Sequence, residues 1–304
     1  MIKRIYIYYK ERYPIIPRII LGIILFLEIH FIILLNMGVT WSQVRLGAAE
    51  ATGAFTCFAF LLWLRVADDL KDFETDKKLF PDRPLPSGRV LKKDIIISCS
   101  IVQAIAIGLN IAFMRENLIF LAILYFYGFL MSKWFFKKKK IQPSLPLALI
   151  THNPVQAFIN LYIIAFTIQK YNLPAFSLTN IMALWTLYFP ALIWEVSRKI
   201  RAPKDETEYT TYSKLFGYKD STKFVLILTI MDIITNFILV WNLNKISVGV
   251  LFLLVSWMTW KFIQFIKNPE RFVLVEKVRR ASGPSSAGDR QRHLALCLHI
   301  DAPA

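Results

Sequence analysis

Long apolar stretches limit this chain more than any other feature. The segments 19–37, 48–66, 95–114, 118–131, 145–168, 178–194, 224–243 and 246–265 are each mostly apolar, and about 20 such residues in a helix cross the roughly 30 Å hydrocarbon layer of a bilayer. Backbone groups in lipid must be satisfied within their own segment, so these stretches are predicted to be helices. The expectation is an all-α polytopic transmembrane bundle with about eight spans. A mean hydropathy of +0.46 and a 56% hydrophobic composition agree and exclude an ordinary soluble domain.

Lys and Arg number 37 against 21 Asp and Glu, which in a soluble protein would suggest a nucleic-acid partner. Here the bases lie between apolar spans, where topology explains them first. The expected surroundings are a lipid bilayer, with no nucleic acid. The connections 38–47, 115–117, 169–177 and 244–245 hold only Arg45, Arg115, Lys170 and Lys245 as bases. The amino terminus, the loop 67–94, the run 137–140 and the segment 195–223 hold nearly all the others, so these and the carboxy-terminal tail are expected on the cytoplasmic side. Cys57, Cys99 and Cys297 lie far apart, with neither a zinc pattern nor a disulfide framework. The first residues, MIKRIYIYYKERYPIIPR, are too charged and aromatic for a signal peptide. Residues 267–304 change to a polar composition rich in Ala, Arg, Gly, Ser and Pro and are read as a disordered or foreign tail. Residues 1–266 are then the membrane domain.

The densest chemistry follows the second span, in the string DDLKDFETD. Asp68, Asp72 and Asp76 are spaced i, i+4, i+8, and Asp69 lies three before Asp72, so a continuing helix stacks four carboxylates along one stripe. Their repulsion is relieved by a hard cation, and oxygen-only ligands suit Mg²⁺. The same spacing also suits a solvated helix end in which Arg65, Lys71 and the acids pair off. Lys77, Arg83 and Arg89 come next, the last two in FPDRPLPSGRV, whose prolines and glycine make a shaped loop. Acids that hold metal followed by bases that hold phosphate is what a diphosphate requires.

DDLKDFETD followed by FPDRPLPSGRV resembles the first signature of the UbiA family of membrane prenyltransferases, NDxxDxxxD followed by a segment similar to RPLPSG. Asp69, Asp72 and Asp76 match its aspartates, and Asp68 stands where the family usually has Asn. The resemblance implies a bundle of nine transmembrane helices with a cytoplasm-facing active site, Mg²⁺ as cofactor, and an isoprenyl diphosphate and a hydrophobic acceptor as substrates. The family's second signature, DxxxD, is expected after the sixth span, where this chain reads WEVSRKIRAPKDETEYTTYSKLFG. Glu195 falls at the first aspartate and Lys199 at the second, a departure with three outcomes. Glu195 alone completes a second metal site, or Asp205 and Glu206 fold back to it, or Lys199 binds phosphate directly beside Arg198, which shares a helical face with Glu195.

Further polar residues fall inside the spans: Glu28, His30, Glu50, His152 with Asn153, Asn160, Asp232 and Asn236. Such groups face a cavity or bond between helices. Tyr125, Phe126, Tyr127, Trp185 and Tyr188 would either cushion a carbocation or simply pack. The expected activity is Mg²⁺-dependent prenyl transfer to an aromatic or lipid-like acceptor. Its alternatives are a terpene cyclase of the same fold, which needs no acceptor, and a transporter, which would show broken helices at the midplane.

Overall fold

The computed structural model describes residues 1–206, 210–241 and 245–269. The helices are α1 (Ile2–Glu11), α2 (Ile15–Asn36), α3 (Ala48–Lys71), α4 (Phe73–Leu79), α5 (Lys92–Phe113), α6 (Leu118–Ser132), α7 (Lys138–Ile141), α8 (Leu145–His152), α9 (Val155–Tyr171), α10 (Leu178–Thr186), α11 (Tyr188–Ser197), α12 (Tyr212–Phe216), α13 (Tyr218–Val240) and α14 (Lys245–Lys267). Among the described residues there is no strand, and the fold is an all-α bundle. The reading of a separate tail falls mostly on 270–304, outside the described residues.

Among the described residues six helical stretches are long and apolar enough to span a membrane: Ile15–Asn36, Ala48–Lys71, Lys92–Phe113, Leu145–Tyr171, Tyr218–Val240 and Val248–Lys267. The chain is a multi-pass integral membrane protein. The two other expected spans differ. Helix α6 has 15 residues, and the stretch 178–194 divides at Leu187 into α10 and α11. Pro190 explains that break, because it has no N–H and its ring collides with the carbonyl four residues back, at Thr186, where α10 ends. Pro154 acts alike between α8 and α9.

Helix α3 is the axis of the bundle. Of its most apolar window 72% is buried by protein, against 33% or less in the other five. The rest expose apolar faces such as Ile20, Ile101, Ile111, Ile227 and Phe252, as lipid-facing helices do. One apolar core joins Phe26, Ile29 and Ile33 of α2 to Phe60 of α3, Leu124 of α6 and Tyr162 of α9. A second joins Tyr8 and Tyr13 to Leu62 and Val66 of α3 and Ile95 of α5. Close approach of α2 to α3 depends on Gly22, where a Cβ would lie 2.8 Å from the Phe58 backbone nitrogen; small residues at such crossings are the usual device in membranes.

Several in-span polar residues bond between helices. Asn110 donates to Thr56 Oγ1 at 2.7 Å and accepts from the Tyr162 hydroxyl at 2.7 Å, tying α5 to α3 and α9. Asn160 donates to the Leu184 carbonyl at 2.8 Å, and Thr186 donates to Asn236 at 2.7 Å. Glu50 accepts from the Gly47 N–H at 2.9 Å, capping α3, and pairs with Lys170.

Candidate functional site

The C-terminal end of α3 carries the acidic string. Backbone bonds from Asp72 N to Asp68 O (3.0 Å) and from Asp76 N to Asp72 O (2.8 Å) run from α3 into α4, with an offset only at Asp72. Carboxylates at a helix C-terminus oppose its macrodipole, so this end needs positive charge. The following loop brings it back: Ser87 N to Arg83 O (2.9 Å), Val90 N to Pro84 O (3.0 Å) and a left-handed Gly88 (φ 77°) fold FPDRPLPSGRV over the acids.

Each of the four carboxylates has different company. Asp69 is buried and accepts from Tyr8 (2.8 Å), Arg12 (2.7 Å) and Arg65 (2.8 Å). Burial pushes the Tyr8 hydroxyl well above its usual range, so it remains a donor. Asp68 pairs with Lys71 at 2.7 Å, and Asp76 with Arg83 at 2.8 Å; the Arg83 guanidinium also lies 3.8 Å over the Phe80 ring. Asp72 has no ion-pair partner among the described residues. Burial, with Asp68 and Asp76 adding to it and Lys71 and Lys138 opposing, raises its carboxyl from 3.8 to about 6. Among the described residues no three Asp, Glu, His or Cys close on one point at metal-ligating distance.

Of the bases expected to hold phosphate, Arg83 is beside the acids and Lys77 is exposed. Arg89 is turned toward α1, held by Glu11 at 2.6 and 2.9 Å and by the Asp82 carbonyl at 2.7 Å. In the second segment Glu195 pairs with Arg198 (2.6 Å) and Lys199 (2.9 Å), the shared face expected from the spacing. Asp205 is exposed on a short 3₁₀ turn, Pro203–Asp205. Glu206 accepts from Thr211 Oγ1 (2.8 Å) and from Ser213 Oγ, closing a loop in which Tyr212 N bonds to Lys199 O at 2.9 Å. Glu206 is thereby committed to its own loop.

A third element lies between the two charged segments. His152, at the end of α8, is acted on electrostatically by Asp68 and Lys71 and also by Glu195. Lys71 Nζ lies 4.6 Å over the Trp134 ring, which meets the His152 ring edge-on at 5.0 Å. Trp134, Phe135 and Phe136 all have left-handed backbones, φ 52°, 49° and 58°. Bulky L-residues resist that region by roughly 1–2 kcal/mol each, and such strain gathers at functional sites. Tyr8, Arg12 and Trp134 were not marked as site residues by spacing. Tyr8 and Arg12 do carry an i, i+4 signal on α1, but their target lies 61 and 57 residues away. Of the aromatics expected to cushion a cation, Tyr125 bonds to Gln103 (2.6 Å) and stacks on Trp63, Tyr127 bonds to the Thr151 carbonyl (2.8 Å) and stacks on Phe158, Trp185 meets Tyr188 edge-on, and Phe126 is exposed.

No protein-family model, curated protein or solved structure matches this chain.

Proposed function

We propose that this chain is a membrane prenyltransferase that ionises an isoprenyl diphosphate with Mg²⁺ and passes the prenyl group to an aromatic or lipid-like acceptor. The observation that carries the reading is the half-buried Asp72. Its carboxyl is raised by burial and lies in the field of Asp68 and Asp76, and it has no ion-pair partner among the described residues. A half-buried carboxyl with no direct ion pair gains little for the fold and is a good place for a cation. The likeness of DDLKDFETD and FPDRPLPSGRV to the UbiA signatures supports the same reading.

The donor set fits Mg²⁺ chemically, since it consists of carboxylate oxygens alone. Asp68, Asp72 and Asp76 are the residues to hold it, and when bound it would neutralise charge on the departing diphosphate. Asp69 has another task. Its three internal donors make it the anchor that fixes α1 and Arg65 to this end of α3. Arg83 and Lys199 each reach a carboxylate through one exchangeable ion pair, so a phosphate oxygen can take the place of that partner. Glu195 and Arg198 frame the second segment. Lys77 stands at the exposed mouth, and Arg89 joins only if Glu11 releases it. The reading places the amino terminus and both charged segments on the cytoplasmic side, where a water-soluble diphosphate would dock.

The test is incubation of the purified protein with Mg²⁺ and prenyl diphosphates of different chain length, with and without an acceptor, followed by product identification. Prenylated acceptor is the expected product. A terpene alcohol or hydrocarbon formed without acceptor would turn the reading to a cyclase, and no release of diphosphate from any chain length would overturn it.

A further inference from the structure

Helices α1, α2 and α5 leave an apolar groove of about 330 Å³ over α3, open to the outside of the bundle. Ile5 of α1, Ile19 of α2 and Ile97 and Ile101 of α5 form its walls, and Phe58 and Leu62 of α3 form its floor. The floor is buried while Ile19, Ile97 and Ile101 are exposed, so a chain seated there covers apolar surface that the protein itself leaves bare. Helix α1 is fixed as one wall by polar contacts on its other side. Tyr8 and Arg12 hold Asp69, and Arg4 holds Asp94 at the start of α5 at 2.5 Å. The groove is therefore built into the fold.

The polar groups around it are ordered by depth. Lys93, Ile97 and Ile101 lie one helical turn apart on one face of α5, so Lys93 continues the line of the groove wall one turn toward the start of the helix. Long basic side chains at such a position reach the headgroup level of a bilayer. Lys93 is exposed and has no ion-pair partner among the described residues, whereas Lys92 lies 3.6 Å over the Phe73 ring and the carboxylate of Asp94 is neutralised by Arg4. One turn deeper, the Tyr9 hydroxyl and Ser98 Oγ lie 2.6 Å apart in the groove lining. Two hydroxyls carry two protons and share one bond, and neither has another hydrogen-bond partner among the described residues, so one proton remains to be donated. From Lys93 inward the order is cation, hydroxyl donor, apolar channel.

We propose that this groove binds one anionic phospholipid of the surrounding bilayer. A phosphate oxygen pairs with Lys93, an ester carbonyl accepts the remaining proton of the Tyr9 and Ser98 pair, and one acyl chain lies along Ile97 and Ile101 over Phe58 and Leu62. That sequence of groups matches the groove level by level. A plain hydrocarbon chain would leave the lysine and the hydroxyl proton unpaired. A zwitterionic headgroup carries its own cation beside the phosphate, which cancels most of the attraction of a basic residue at the membrane surface. The site is separate from the acidic string and does not depend on the prenyl-transfer reading.

The experiment is native mass spectrometry of the full-length protein released from detergent micelles. It measures the affinity of the first bound phosphatidylglycerol and, separately, of the first bound phosphatidylcholine, with identical acyl chains. The wild type should bind phosphatidylglycerol about fivefold more tightly, the usual effect of one lysine at an anionic headgroup. Lys93→Gln, at an exposed position that does not endanger the fold, should remove this preference and leave phosphatidylcholine binding unchanged. Ile97→Trp fills the groove and should weaken both lipids by about tenfold. Ile111→Trp, at an exposed position near the other end of α5, should leave both unchanged. Equal affinity of the wild type for the two lipids, a preference that survives Lys93→Gln, undiminished binding by Ile97→Trp, or an equal loss in Ile111→Trp would each overturn the proposal. Should Ile97→Trp fail to fold, the comparison of wild type with Lys93→Gln decides by itself.

Discussion

Replacing Asp69 and Asp72 in turn by asparagine should move stability in opposite directions, although the two residues lie three apart in one acidic string. Asp69 receives Arg65, Arg12 and Tyr8, and the two guanidinium side chains are only 9% and 14% exposed. Removing one partner of a buried ion pair typically destabilises by about 3–5 kcal/mol, because the remaining charge is stranded. Asparagine keeps an acceptor for Tyr8, so Asp69→Asn belongs near the lower end, about 3 kcal/mol. Asp72 is the reverse case. Its carboxyl is raised from 3.8 to about 6, and a rise of about two units corresponds to about 3 kcal/mol of penalty on the charged form. Partial exposure screens this, leaving about 1–2 kcal/mol. For a carboxyl whose folded value is raised, the penalty is absent below the unfolded value and complete above the folded one. Asp72→Asn should therefore match the wild type below about pH 4 and exceed it increasingly up to pH 6, staying ahead by about 1–2 kcal/mol at higher pH. Thermal unfolding in detergent with excess chelator, followed by tryptophan fluorescence at several pH values, reads both effects. An unchanged midpoint for Asp69→Asn, or a lowered one for Asp72→Asn at pH 8, would refute the assignment of anchor and open ligand.

Other changes follow from the same structure. Gly22→Ala places a Cβ 2.8 Å from the Phe58 nitrogen and 3.0 Å from the Ala54 carbonyl, so thermal unfolding should show a loss of about 1–3 kcal/mol from forced separation of α2 and α3. Lys199→Ala should weaken diphosphate binding several-fold while Asp205→Ala, at an exposed turn, leaves it within twofold; calorimetric titration with pyrophosphate and Mg²⁺ measures both. Turnover should require Mg²⁺ or Mn²⁺ and disappear with chelator, with Zn²⁺ a poor substitute for an all-oxygen donor set; full activity in chelator would remove the metal from the account.

The membrane bundle was legible because span length depends only on local composition. Ala48–Lys71 and Lys92–Phe113 emerge close to their expected bounds. Where local composition misled, backbone chemistry intervened: the apolar run 178–194 contains Pro190, and the helix yields one turn before it. In the acidic string the i, i+4 spacing correctly placed the acids at one helix end, with Lys71 and Arg65 as partners. It did not foresee that Asp69 would be taken by α1, since Tyr8 and Arg12 reach it only through tertiary packing. Trp134 is a parallel case, since spacing did not mark it. Its left-handed turn and its contacts with Lys71 and His152 arise from the meeting of α3, α6 and α8.

The most direct test of the central claim is calorimetric titration of the full-length protein with a non-ionising thiolo analogue of geranylgeranyl diphosphate, in Mg²⁺ and in chelator, for wild type and Asp72→Ala. The account predicts binding by the wild type that depends on Mg²⁺ and is lost, with the fold intact, in Asp72→Ala. Binding that is equal with and without Mg²⁺, or that survives unchanged in Asp72→Ala, would contradict it.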